Sequence, residues 1–151
     1  METFTLLLQG MATSFELLNL ALLIFGCLIG LFVGAMPGLG SVNGVAILIP
    51  ITFIVPPTAA IIFLAAVYYG AMYGGAISAW MLGIPGAATA VATVFHGRPL
   101  AVKGDAMTAL TAAAVGSFVG GTVSVILFTL FAPPLAEVAL RFNAPETFAL
   151  M

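Results

Sequence analysis

The sequence predicts an all-α integral membrane protein, a polytopic helix bundle whose helices are broken at Pro-Gly pairs or fold back as re-entrant hairpins. Hydrophobic residues make up 63% of the 151 residues and charged residues only 5%, whereas packed globular proteins carry about 25% charged residues. No Asp, Glu, Lys or Arg occurs in residues 17–97 or 106–136, and one bilayer crossing needs about 20 apolar residues. These runs are continuous, without the alternation of barrel strands, so helices must satisfy their backbone groups.

Composition excludes several classes of function. The net charge of −2 gives no basic surface for nucleic acid. Cys27 is the only cysteine, so no internal disulfide can form, and the spans hold no cluster of metal ligands. They also lack the activated serine with histidine, or the paired aspartates, of an intramembrane protease. We therefore expect no enzyme activity and no metal site.

The first half of the chain contains two apolar elements, one long and one short, after an amphipathic start. Apolar residues recur at helical spacing there, namely Phe4, Leu7 or Leu8, Met11 and Phe15. This pattern indicates an amphipathic segment lying at the membrane interface or, alternatively, a frayed terminus. Residues 17–36 form the first predicted crossing. Residues 42–55 are too short for a full span, as in a half-helix or re-entrant arm, and Pro56-Pro57 ends them.

The second half repeats the order of a long and a short element. We expect a full span over residues 58–82 and a short helix over 84–95, opened by Pro85-Gly86. The loop 96–105 follows. Residues 106–132 then span once or turn back at Gly120-Gly121. Beyond Pro133-Pro134, Glu137 and Arg141 are spaced to pair on a helix, and residues 143–146 have the pattern of a helix restart.

The loop 96–105 carries Arg98 and Lys103, against Arg141 alone beyond the last span. The positive-inside rule therefore places this loop in the cytoplasm.

Three ladders of small residues repeat every four positions, which lets helices approach backbone to backbone. The pattern predicts protein neighbours for each of these helices, through ordinary tight packing or a more specific role. The ladders are Gly26, Gly30 and Gly34; Gly70, Gly74 and Ser78; and Ala112, Gly116, Gly120 and Ser124.

Two segments share one design, in which an apolar helix is followed by Pro-Gly, small or hydroxylated residues, and a short apolar helix. Pro37-Gly38 and Pro85-Gly86 mark the two breaks. Irregular backbone at membrane depth is tolerated where it lines a cavity, and transporters use the exposed N–H and carbonyl groups to hold ions. We expect Ser41 to cap a helix that opens at Val42, and Thr89 to do similar work. The alternative is two proline kinks with structural roles only.

Several motifs together resemble the N-terminal part of the large membrane subunit, the TctA family, of bacterial tripartite tricarboxylate transporters. They are G-x-x-x-G-x-x-P-G-L-G at residues 30–40, YYGAMYGG at 68–75, Pro85-Gly86 before a small-residue helix, G-x-P-x-A-x-x-G at 97–104, and the tail at 132–151. Ser41 departs from the family pattern, where proline is expected, and Gly83 stands where asparagine is usual.

This resemblance implies a multi-pass subunit of the bacterial inner membrane that takes up tricarboxylates or related carboxylates by ion-gradient-driven symport. Its partners would be a small four-span membrane subunit and a periplasmic substrate-binding protein, with Na⁺ or H⁺ as coupling ion and no other cofactor. Residues 1–151 would form a single transmembrane domain, the incomplete N-terminal part of a longer subunit. The alternative is a truncated or non-transporting component with a structural role in assembly.

The predicted substrate and ion path combines both broken helices with the span between them. Glycines there would let a ligand reach the backbone, and hydroxyl and amide groups would hold it. The candidate residues are Gly38, Gly40, Ser41, Asn43, Gly74, Gly75, Ser78, Pro85, Gly86 and Thr89.

Overall fold

The computed structural model describes residues 2–139, and within that range all regular structure is helical. Its helices are α1 (Glu2–Ser14), α2 (Leu17–Ala35), α3 (Gly40–Leu48), α4 (Pro57–Met81), α5 (Val91–Val102) and α6 (Ala106–Ala139). Short 3₁₀ stretches extend α3 (Ile49–Ile54) and precede α5 (Ala88–Ala90). The prediction of an all-α membrane protein is confirmed.

Three helices are long and apolar enough to cross a bilayer, namely Leu17–Ala35, Pro57–Met81 and Ala106–Ala132. They confirm the three predicted spans. The apolar segment Gly40–Ile54 is shorter, as predicted for a half-helix. The alternative in which the last span turns back at Gly120-Gly121 is wrong, because α6 continues through that pair and through Pro133-Pro134. The predictions that need Arg141 and residues 143–146 lie outside the described residues.

The predicted boundaries of the short second helix are wrong. The helix α5 begins only at Val91 and continues to Val102, so most of the predicted loop 96–105 is helical. Its end is set by Gly104, whose φ is +88°. The Gly104 N–H donates to the Ala101 carbonyl (3.0 Å) and the Asp105 N–H to the Leu100 carbonyl (3.0 Å). This is the glycine-terminated C-cap that lets a helix run up to its glycine.

The N-terminal segment is helical, as predicted, and is fastened to α2 by one buried side chain. Asn19 is buried, and its Nδ2 donates to the Thr13 carbonyl at 2.7 Å. The location of α1 at the membrane interface stays a prediction.

The chain divides into two compact units between Thr111 and Ala112. The first unit contains α1 to α5 and the first turns of α6. Within it, Ala109 is buried and the Tyr73 hydroxyl donates to the Leu110 carbonyl at 3.3 Å. In the second unit, the described part is the rest of α6, whose side chains are largely exposed.

The core of the first unit is the pair α2 and α4, held together by glycines from both helices. A Cβ built on Gly26 would lie 2.7 Å from the Phe63 carbonyl oxygen, and one on Gly30 would lie 2.9 Å from the Ala71 nitrogen. In the other direction, Gly70 and Gly74 of α4 face the backbone of α2. The first two predicted ladders are therefore a single interface in which the backbones touch, as in small-residue packing of membrane helices.

We expect Gly30→Ala to destabilise the first unit, because its new methyl group would overlap the backbone of α4. Overpacking of this kind costs about 1–3 kcal/mol. Gly116→Ala is a matched control on a ladder of α6, where an added Cβ meets open space. Thermal unfolding in mild detergent should show a lower Tm for Gly30→Ala and an unchanged or higher Tm for Gly116→Ala, since alanine favours a helix more than glycine does. Equal midpoints for the two variants would contradict the close packing.

Candidate functional site

The first helix break lies in residues 36–39 and is shaped by two glycines. The helix α2 ends at Ala35 and α3 begins at Gly40. Gly38 and Gly40 have φ values of +91° and +68°, in the region that side chains disfavour. The Pro-Gly-Leu-Gly segment thus ends one helix and starts the next within a few residues.

The second break lies in residues 82–87, and its Gly86 is wedged between α2 and α4. The Gly86 N–H donates to the Gly75 carbonyl at 3.4 Å. A Cβ built on Gly86 would lie 2.8 Å from Gly75 Cα and 2.9 Å from Ser78 Oγ, and would collide with the Gly34 carbonyl. Only glycine fits here, so the second break packs directly against the C-terminal parts of both spans.

Both breaks open onto one cleft of about 540 Å³. Because the breaks are well separated along the chain, the cleft depends on the α2–α4 pair that brings them together. The described residues that line it carry no charge. They are Gly38, Leu39, Gly40, Ser41, Val42, Asn43, Tyr68, Met72, Pro85, Gly86, Ala87, Ala88 and Thr89.

Met72 connects the two broken helices at the wall of the cleft. The hydroxyl of Ser41, from α3, donates to Met72 Sδ at 3.4 Å, and the hydroxyl of Thr89 donates to the same sulfur at 3.8 Å. A thioether is a weak acceptor. Both hydroxyls therefore have a partner that a carboxylate oxygen could replace at a gain in hydrogen-bond strength.

The backbone N–H groups at the start of α3 are further hydrogen-bond donors beside these hydroxyls. The residue before the helix, Leu39, supplies no side-chain cap, and the first N–H groups of a helix have no intrahelical partner. The positive end of the helix dipole lies at the same point. Asn43 is exposed on the cleft side of α3 and brings a side-chain amide.

Most of the predicted site residues meet in this cleft. Seven line it directly, namely Gly38, Gly40, Ser41, Asn43, Pro85, Gly86 and Thr89. Gly75 lies just behind, with its Cβ position 3.3 Å from the Ala87 nitrogen. Ser78 is buried, donates to the Gly75 carbonyl at 3.0 Å and supports Gly86. Gly74 instead faces Leu31 and Ala35 of α2.

The predicted capping roles are wrong. The helix α3 opens at Gly40, two residues before Val42, so Ser41 lies inside its first turn and turns its hydroxyl to Met72. Likewise no side chain caps the 3₁₀ stretch Ala88–Ala90, and Thr89 also faces Met72. The glycine at position 40 allows the earlier start, because it can take the positive φ that the turn requires.

Tyr68 and Met72 line the cleft but were absent from the predicted site. The helical period could have found them, since residues three and seven positions before Gly75 lie on the same side of α4. Both side chains are largely apolar, so they do not stand out as site candidates in a span where most residues are apolar.

Residues 20–151 match the family model of the tripartite tricarboxylate transporter TctA family. The chain is also 42% identical, over 151 residues, to an Agrobacterium vitis protein described as an uncharacterized 52.8 kDa protein in the TAR-I ttuC′ 3′ region. This alignment covers 100% of the chain and 30% of the length of the relative. No solved structure matches it.

The family match extends over both helix breaks and the span between them, which together build the cleft. On this evidence the chain belongs to the tripartite tricarboxylate transporter TctA family.

Proposed function

We propose that this chain forms part of the membrane subunit of an ion-driven transporter that takes up tricarboxylates or related carboxylates across the bacterial inner membrane. The observation that carries the proposal is the convergence of two broken helices on one uncharged cleft. Broken helices that meet at a cavity are the usual way in which secondary transporters hold an ionic substrate.

In this proposal the cleft holds a carboxylate without a basic side chain. The N–H groups at the start of α3 donate to one carboxylate group, and the helix dipole favours its negative charge. The hydroxyls of Ser41 and Thr89 leave Met72 Sδ for the ligand. Asn43 donates from its amide. The glycines at 38 and 40 leave the backbone open to close approach.

The coupling ion would be Na⁺ or H⁺, and the lining of the cleft favours Na⁺. Carbonyl and hydroxyl oxygens are suitable ligands for Na⁺. A proton relay in a membrane usually employs Asp, Glu or His, and none of the described lining residues is of these types.

The proposed partners are a small four-span membrane subunit and a periplasmic binding protein that delivers the carboxylate. The chain spans 30% of the length of its Agrobacterium vitis relative, so the complete transporter is the appropriate system for a test.

The test is uptake by proteoliposomes that contain the complete transporter, with an imposed Na⁺ or H⁺ gradient and a panel of mono-, di- and tricarboxylates. We expect gradient-dependent accumulation of a tricarboxylate, starting with citrate as the probe. A well-assembled complex that accumulates none of the panel under either gradient would contradict transport. It would favour the alternative of a purely structural membrane component.

A further inference from the structure

A second groove, of about 520 Å³, follows one face of α5. Phe95 and Val102 are 71% and 74% exposed on this face. The groove is lined by residues spaced four apart along α5 and by the C-cap residue of this helix. The lining residues are Val94, Phe95, Arg98, Pro99, Val102 and Lys103. The groove is thus an apolar strip that carries two cations.

The Arg98 guanidinium is held in place at one end of the groove. Its Nη1 donates to the Met81 carbonyl at 3.3 Å, at the last residue of α4. Gly83 makes room for it, because a Cβ built there would lie 2.8 Å from Arg98 Cδ, Nε and Cζ. One N–H of the guanidinium is used in this way, and its other donors can meet an anion.

Neither cation of the groove is neutralised within the described side chains. Arg98 and Lys103 have no ion pair there. The nearest carboxylate along the chain, Asp105, accepts a hydrogen bond from the Thr108 hydroxyl at 2.6 Å instead. Arg98 and Lys103 are also the first basic residues after the long uncharged run 17–97, which places them where an apolar segment reaches the headgroups.

We propose that the α5 groove binds an anionic phospholipid, with the phosphate between Arg98 and Lys103 and an acyl chain along Val94 and Phe95. Charge complementarity selects this occupant. A phosphodiester with a neutral headgroup keeps its full negative charge, whereas the choline of a zwitterionic lipid brings its own cation toward Arg98 and Lys103. Each basic residue near an anionic lipid surface contributes about 1 kcal/mol, roughly a fivefold preference.

The protein contains its own reporter for this site. Trp80 is the only tryptophan, it is buried, and its indole packs against Gly97, one residue before Arg98. Bromine atoms on a lipid acyl chain quench tryptophan fluorescence at short range. Quenching of Trp80 therefore reports acyl chains close to α5, and variants of Lys103 test whether the quenching lipid occupies the groove.

The experiment titrates the purified full chain in detergent with dibrominated phosphatidylglycerol and, separately, dibrominated phosphatidylcholine. We expect quenching at a lower mole fraction of phosphatidylglycerol, by at least about fivefold. Lys103→Gln should reduce that preference by roughly fivefold, and the control Lys103→Arg should keep it. The chosen position is exposed, so loss of fold is not expected.

Three results would overturn the lipid site. The first is equal quenching by the two lipids in the wild type. The second is an undiminished preference in Lys103→Gln. The third is displacement of phosphatidylglycerol by inorganic phosphate at constant ionic strength, which would show a site for the free anion.

Discussion

Gly40→Val is expected to abolish carboxylate uptake by the complete transporter. Gly40 has a φ of +68°, and a side chain in the left-handed region costs about 1–3 kcal/mol, with β-branched residues among the worst. The start of α3 must then shift, and it carries the N–H groups proposed to hold the carboxylate. The Cβ position of Gly40 also lies 3.6 Å from the Gly86 carbonyl oxygen across the cleft, so the isopropyl group would narrow the space between the two breaks.

Ala46→Val is the matched control, because it replaces a methyl group by an isopropyl group on the same helix, at an exposed position outside the cleft. Uptake in proteoliposomes, with assembly checked by co-purification of the partner subunits, should be normal for Ala46→Val. Normal uptake by an assembled Gly40→Val transporter would show that the conformation of the first break is irrelevant to transport.

Removing both hydroxyls that face Met72 should weaken carboxylate binding by at least about 100-fold. A hydrogen bond to a charged ligand is worth about 1.5–3 kcal/mol, so loss of two such bonds corresponds to that factor or more. The double variant Ser41→Ala with Thr89→Val keeps similar volumes. Uptake measured against carboxylate concentration should show a raised KM in the complete transporter.

The variant Met72→Leu removes the sulfur and keeps both hydroxyls, so it distinguishes their contributions to carboxylate affinity. If Met72 only accepts hydrogen bonds from Ser41 and Thr89 until a ligand arrives, the KM of the Met72→Leu transporter should stay within about threefold of the wild-type value. A KM raised as much by Met72→Leu as by the double variant would mean that the shape of the wall, and not the hydroxyls, decides affinity.

The fold could be predicted largely from the sequence because its main causes are local. Long uncharged runs define the spans, and the two Pro-Gly pairs mark the two helix breaks, since proline removes a backbone donor. The ladder on Gly26, Gly30 and Gly34 also predicted close packing correctly. The sequence could not predict that this ladder packs against Phe63, Val67 and Ala71, because a pattern of small residues does not indicate which helix lies opposite it.

The site was predicted less completely, for two physical reasons. The ladder of Gly70, Gly74 and Ser78 shares one face of α4, and tight contact with α2 uses that face, so Gly74 is turned away from the cleft. Met72 was missed because its role depends on hydroxyls from two distant segments. The extent of α5 was misjudged because Arg98 and Lys103 suggested a loop, whereas Gly104 sets the true end.

The central claim, that the cleft between the two breaks binds a carboxylate, is tested most directly by protection of a cysteine placed in it. Ala88 lines the cleft, is exposed and contributes no hydroxyl, so Ala88→Cys in a Cys27→Ala background adds a reporter without removing a proposed ligand. Met107→Cys, 74% exposed at the start of α6 and outside both the cleft and the α5 groove, is the control. In the complete transporter, saturating citrate should slow alkylation by a hydrophilic maleimide at position 88 by at least about fivefold and leave position 107 unchanged. Equal alkylation rates at position 88 with and without citrate, in a transporter that accumulates citrate, would contradict the claim.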